Sequence, residues 1–206
     1  LNVDAVLEDG IPVFKRICGG GAVLLSPGCV CMALRFAKSK TLGIHDYFAK
    51  AAALITEVAA ERLGIRIGLR GISDLAYLGP LEGARPLNGG STGSELPLLM
   101  RAGERKIAGS SLYMPRDFVL YLVSILVDPD FSAIDKYLSH PSKEPDYRGG
   151  RSHKDFLAGL GPLSGAALRP ADFAQWLRQG LQQKIPETPG LDLDWELSGG
   201  KPPGVG

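Results

Sequence analysis

Along residues 45–63 the apolar side chains recur with the period of a helix. Tyr47, Phe48, Leu54, Ile55, Val58, Ala59 and Leu63 fall on one stripe, and Lys50, Glu57 and Glu61 fall elsewhere. Gly64 comes next, in the place where a glycine ends a helix in the left-handed conformation. The spacing predicts an amphipathic helix over His45–Leu63. Other stretches favour strands. Ile11–Ile17 (IPVFKRI) reads as one and leads into CGGGAVLL, with Ala22–Leu25 starting the next after three glycines that suit neither helix nor strand. CVCMALRF follows the Pro27–Gly28 turn, and short pieces follow at Ile65–Leu69 and Leu75–Leu78.

The segment Gly79–Gly103 is rich in glycine, proline and serine and reads as a long loop or insertion. RKIAGSSLY and FVLYLVSILV then predict two paired core strands. Asp130–Leu138 reads as a helix and KEPDYRGGRS as a polar loop. Ser152 with Asp155 forms a capping-box pattern for a short helix, SHKDFLAGL. Pro170 opens a last amphipathic helix carrying Phe173, Trp176, Leu177 and Leu181, with Trp176 expected to close the sheet in preference to docking a partner, and a loose tail is expected from Pro186 to Gly206. Strands joined directly, with a few helices between them, predict an α+β fold. The division expected is a body over 1–160 and a C-terminal helix and tail over 161–206.

Composition narrows the partners. Apolar residues make up 45% of the 206 and charged residues 22%, as in ordinary globular chains. Twenty-three basic side chains against 22 acidic ones give a net charge of +1, so nothing draws the chain to nucleic acid or to an acidic membrane. The longest apolar run, Phe118–Val127, falls well short of the roughly 20 residues a membrane helix needs, so it is expected to be a buried strand. Leu1 in place of Met suggests a cut or processed chain. No secretory signal opens it, and the three cysteines, Cys18, Cys29 and Cys31, read as reduced thiols of a cytoplasmic protein.

Candidate chemistry is scattered. Gly19, Gly20 and Gly21 after Lys15–Arg16 let backbone N–H groups approach an anion or an acyl chain, although three glycines alone are more often a turn. Lys106 at the start of a buried strand wants an anionic partner if it faces inward; a solvated strand edge is the commoner case. Asp74 in GISDL suits orienting a lysine or holding a metal, although an aspartate in a turn is the commoner case. Arg148 and Arg151 suit a phosphate, a partner or a solvated loop. His45, His140 and His153 lack metal-ligand spacing and receive no role. Cys18 reads as a small residue packed beside the glycines.

The order of these motifs is more specific than any one of them. RICGGGAV, a long helix, GISDL, RKIAGSS and VSILVD, followed by YLSHPSKEPDYRGGRSHKDFL, together resemble the lipoate–protein ligase family of the biotin/lipoate ligase superfamily. The resemblance covers about residues 1–160. It implies an α+β domain with a mixed, largely antiparallel sheet flanked by helices. It also implies ATP and Mg2+ as cofactors and lipoate as the substrate that is adenylated. The acyl group would then pass to a lysine on a lipoyl-carrier domain of a 2-oxoacid dehydrogenase or on the glycine-cleavage H protein. By resemblance Lys106 is the catalytic lysine. Arg16, Gly19, Gly20, Gly21, Ala22, Asp74, Gly109 and Ser110 line the adenylate site, and Asp74 is the metal ligand. The chain differs from the family at Leu25 and at Leu122–Val123, where histidines are common, and an N-terminal part of the domain is expected to be missing. An octanoyltransferase acting through a cysteine thioester, biotin attachment and a non-catalytic acyl- or carrier-binding relative stay open as alternatives.

Overall fold

The computed structural model describes residues 1–82, 103–165 and 167–184. Its frame is a five-stranded sheet of β1 (Cys29–Ala37), β2 (Ile65–Arg70), β3 (Asp74–Pro80), β4 (Arg105–Tyr113) and β5 (Phe118–Leu126), in the order β1-β5-β4-β3-β2. Every strand pair is antiparallel. The parallel element is a single bridge, Lys106 with Leu157, at the end of β4 that β5 does not reach. The expected largely antiparallel α+β sheet is what forms.

The long helix α2 (Ile44–Leu63) buries all seven residues of the predicted stripe, and Gly64 ends it at φ 63°, ψ 28°. Beside it lies the last helix, α6 (Pro170–Lys184), so close at Gly180 that an added Cβ would stand 3.1 Å from Leu54 and Val58. Val123 and Ile125 of β5 join the core with these helices, whereas Ser124 and Leu126 face the other side, as the two-residue repeat of a strand requires. Trp176 packs against the same core, as expected. Smaller helices complete the fold: α1 (Val3–Glu8), α3 (Phe131–Tyr137), α4 (His153–Phe156) and α5 (Leu160–Ser164). Asp130 caps α3 by accepting from the backbone N–H groups of Ser132 and Ala133.

Three expectations need correction. Ile11–Ile17 and Ala22–Leu25 are not strands, because they form no ladder with any described residue. Val13, Phe14 and Ile17 are 66%, 86% and 65% exposed, so the apolar pattern that suggested a strand meets no opposing surface among the described residues. The expected helix SHKDFLAGL breaks after one turn. Leu157 leaves it to bridge Lys106, and the Ala158 N–H donates to the Lys106 carbonyl at 2.9 Å. The expected loop from Gly79 begins later than predicted, since Gly79 and Pro80 still belong to β3. The rest of it up to residue 102 and the tail from Pro186 lie outside the described residues.

Candidate active site

Strand β4 carries a bulge against β3. Leu75 faces Ala108 and Ala76 faces Lys106, so Ile107 has no partner. Residues three apart on a regular strand point to opposite faces; one extra residue reverses that. Ile107 and Ala108 are accordingly both buried, at 0% and 1% exposure, and the Lys106 side chain passes over Gly109. A Cβ on Gly109 would stand 3.1 Å from Nζ of Lys106 and 3.2 Å from its Cε, so the missing side chain is the lysine's channel. Asp74 faces Gly109 directly across the ladder, and cross-strand partners share a face. The result is an ion pair, Lys106 Nζ to Asp74 Oδ1 at 2.7 Å, with the two side chains only 26% and 14% exposed.

The second carboxylate oxygen is also engaged. The Tyr147 hydroxyl donates to Asp74 Oδ2 at 3.0 Å, from a 3-10 turn at Asp146–Arg148. Burial, and then the negative charge of Asp74 beside it, push the Tyr147 phenol far above its ordinary range, so it stays a donor at neutral pH. Sequence reasoning missed this tyrosine. Its signal lay only in the neighbouring Arg148, in the YRGGRSH loop.

Lys106 opens onto a cleft of about 570 Å³. On the sheet side stand Gly109, Ser124 and Leu126. Gly21 to Leu24 lie along it too, and residues 139–143 with Arg148 and His153 complete the wall. The structure therefore brings Lys106, Gly109, Gly21 and Ala22 together around one space, with Asp74 behind the lysine. Arg16, Gly19, Gly20 and Ser110 are not part of that lining. The Arg16 guanidinium folds onto its own loop, donating to the carbonyls of Gly19 and Gly21, both at 2.9 Å. Gly20 sits at φ 102°, left-handed backbone that favours glycine. Ser110 ties down the turn before β3, its N–H and hydroxyl donating to the Ser73 carbonyl at 3.0 and 2.6 Å.

Two histidines given no role at the outset line the cleft. His140 lies 3.0 Å from Glu144 and His153 lies 3.2 Å from Asp135. Burial and the nearby Arg148 charge lower the His153 pKa. Arg148 is no solvated loop residue: it is 4% exposed and stacks 4.9 Å over Phe156. Cys18 is buried beside the glycines, as expected, and no cysteine is in the lining of the cleft among the described residues. No group of three or more His, Cys, Asp or Glu among the described residues is arranged to hold a metal ion. No described helix is long and apolar enough to cross a membrane.

Several solved structures share the fold. A bi-partite lipoate protein ligase from the archaeon Thermoplasma acidophilum, described with its E2 lipoyl domain, superposes with a TM-score of 0.64 at 18% identity, covering 88% of this chain and 60% of that one. LipL1 of P. falciparum, in complex with lipoate, gives 0.59 at 18% identity, with 91% and 45% covered. Lipoate-protein ligase A bound with ATP gives 0.59 at 18% identity, with 88% and 62% covered. The chain thus spans less than two thirds of the length of these relatives, and identities this low speak for the fold alone. The sequence itself goes further, because residues 1–182 match the model of the lipoyl protein ligase A/B catalytic domain. With most of its length inside that match, the chain belongs to the lipoyl protein ligase A/B catalytic-domain family.

Proposed function

We propose that this domain is the catalytic part of an ATP-dependent lipoate–protein ligase. The observation that carries the proposal is Lys106: a lysine aimed by a strand bulge into a cleft edged by a glycine-rich loop, with Asp74 behind it. In the reaction the lipoate carboxylate attacks the α-phosphorus of ATP, the bond to the β-phosphate oxygen breaks, and pyrophosphate leaves. A carrier-lysine amine then attacks the acyl carbonyl, and AMP leaves. Two anions meet in the first step, and a fixed ammonium group at that point stabilises the charge that develops. Lys106 supplies it. Gly21 and Ala22 let backbone come close to the acyl-adenylate, while Leu24, Leu126 and Leu157 give the cleft apolar surface for an acyl chain. Magnesium, when bound on the nucleotide phosphates, supplies further positive charge. Asp74 serves first as the lysine's partner, since a metal ion there competes with Lys106 and Tyr147 for its two oxygens.

The acceptor we infer is a lysine on a lipoyl-carrier domain, a reading supported by the archaeal relative described with its E2 lipoyl domain. An octanoyltransferase is the second reading, and the cleft lining described above offers no thiol for its thioester. The test is lipoate-dependent ATP–pyrophosphate exchange by the full chain, with octanoate and biotin as comparators. Exchange with lipoate that vanishes in Lys106→Ala is the expected result. A folded wild-type chain that shows no exchange overturns the proposal.

A further inference from the structure

The carboxylate of Asp74 is shared between two side chains that reach it from opposite directions. Lys106 comes along β4. Tyr147 comes from a turn 73 residues away in sequence, and its hydroxyl donates to Oδ2 of Asp74, the carboxylate oxygen that is not the one paired with Lys106. The turn that carries Tyr147 is fixed from several sides. The Arg151 guanidinium donates to the Tyr147 carbonyl at 2.6 Å and to the Glu104 carbonyl at 3.0 Å, which ties the turn to the residue preceding β4. The Tyr147 ring packs on Phe156 with centroids 5.1 Å apart, and Arg148 donates to the Arg151 carbonyl at 2.9 Å.

We infer that Tyr147 is a positioning residue for Lys106, acting through Asp74. A carboxylate with one donor can turn about its bond to Cβ; with a donor on each oxygen its plane is fixed. The phenol therefore keeps Oδ1 facing the lysine. It also draws carboxylate charge towards its own oxygen, so the hold on the ammonium group is firm in direction and moderate in strength. Such a lysine stays aimed into the cleft and can still shift towards a substrate anion. The same turn places the next residue, Arg148, in the cleft wall, so one mount sets both the lysine's partner and part of the lining. The kinetic consequence rests on the ligase reading above; the positional one does not.

The experiment is a double-mutant cycle over Tyr147→Phe and Asp74→Asn in the full chain. Phenylalanine keeps the ring that packs on Phe156, so folding is expected to survive. The first readout is the acetylation rate of Lys106 by acetic anhydride, followed by mass spectrometry against exposed Lys50 in the same sample. Losing the phenol tightens the Asp74–Lys106 pair, and Tyr147→Phe should slow labelling of Lys106 by about threefold to tenfold. Asp74→Asn should speed it, and adding Tyr147→Phe to that background should change nothing further. Labelling at the wild-type rate in Tyr147→Phe, or a slowing that persists with Asn at position 74, overturns the inference. The second readout is exchange kinetics, with rates normalised to the folded fraction measured by circular dichroism, where Tyr147→Phe should lower kcat about tenfold and leave KM for lipoate unchanged. If wild type shows no exchange while the labelling cycle behaves as stated, the ligase reading fails and the role of Tyr147 stands.

Discussion

Two walls of the cleft are built on different principles. On the sheet side, Lys106 sits on a strand whose backbone is held by β3, by the bridge to Leu157 and by the Ala158 N–H, with Ile107 beneath it at 0% exposure. On the other side, Gly21 to Leu24 belong to a segment that exposes Phe14 at 86% and shapes its loop through the two bonds from Arg16. A side chain backed by a core keeps its geometry whether or not a ligand is present, as catalysis by fixed charge requires. A loop shaped by its own hydrogen bonds has little buried area behind it and opens at small free-energy cost. On the ligase reading proposed above, chemistry falls to the first wall and adaptation to the ligand to the second.

The largest effect that would sharpen this contrast is on activity. Lys106→Ala should lower lipoate-dependent exchange by about 1,000-fold, the scale seen when a fixed charge-stabilising group is removed. Arg16→Ala should act differently, raising KM for lipoate by no more than about tenfold, because it loosens a loop without removing a reacting group. A loss in Arg16→Ala as deep as in Lys106→Ala would break the distinction between the walls.

Stability gives the next test. Phe173 is fully buried in α6, and Phe173→Ala should destabilise the domain by about 3–5 kcal/mol in chemical denaturation. Phe14→Ala should change it by less than about 0.5 kcal/mol, since an exposed ring contributes almost no burial. A large loss from Phe14→Ala would mean that the segment is packed in solution as it is not here.

A subtler contrast uses two glycines. Gly109→Ala puts a methyl group against the flexible end of Lys106, so the unfolding midpoint should hardly move while kcat falls by about tenfold as the lysine is pushed aside. Gly20→Ala forces a side chain into left-handed backbone, with its Cβ 2.7 Å from the Arg16 guanidinium. That substitution should reach KM and leave kcat alone. Steady-state exchange kinetics on both variants separates the two cases.

How much of this was legible in the sequence follows the same division. The α2 stripe, the β4–β5 pair and the ordered motifs around Asp74 and Lys106 are local or periodic, and they led to the right elements. The bulge at Ile107 was not legible, because it is a property of register between two strands and not of either strand alone. Tyr147 was invisible for a similar reason: its partner lies 73 residues away, and a tyrosine in a polar loop has no pattern to mark it. The IPVFKRI segment shows the opposite failure. Its β-branched and aromatic residues favour a strand, but a strand exists only with a partner, and a sequence pattern does not say whether one is there.

The smallest expected effect concerns pH, and it too separates the walls. His153, at the start of α4, has its pKa lowered by burial and by Arg148, against the pull of Asp135. The unfolded chain therefore takes up a proton on this residue at a higher pH than the folded chain does. Stability from this group is complete above the ordinary histidine value of about 6.5, falls as the pH drops below it, and levels off once the folded form is protonated too. The segment from Leu1 to Gly28 contains no histidine. Denaturation midpoints should accordingly decline from neutral pH into the mildly acidic range, and His153→Phe should flatten the decline. An unchanged slope in that variant would assign the pH dependence to other groups and leave the packed wall without its own proton-linked response.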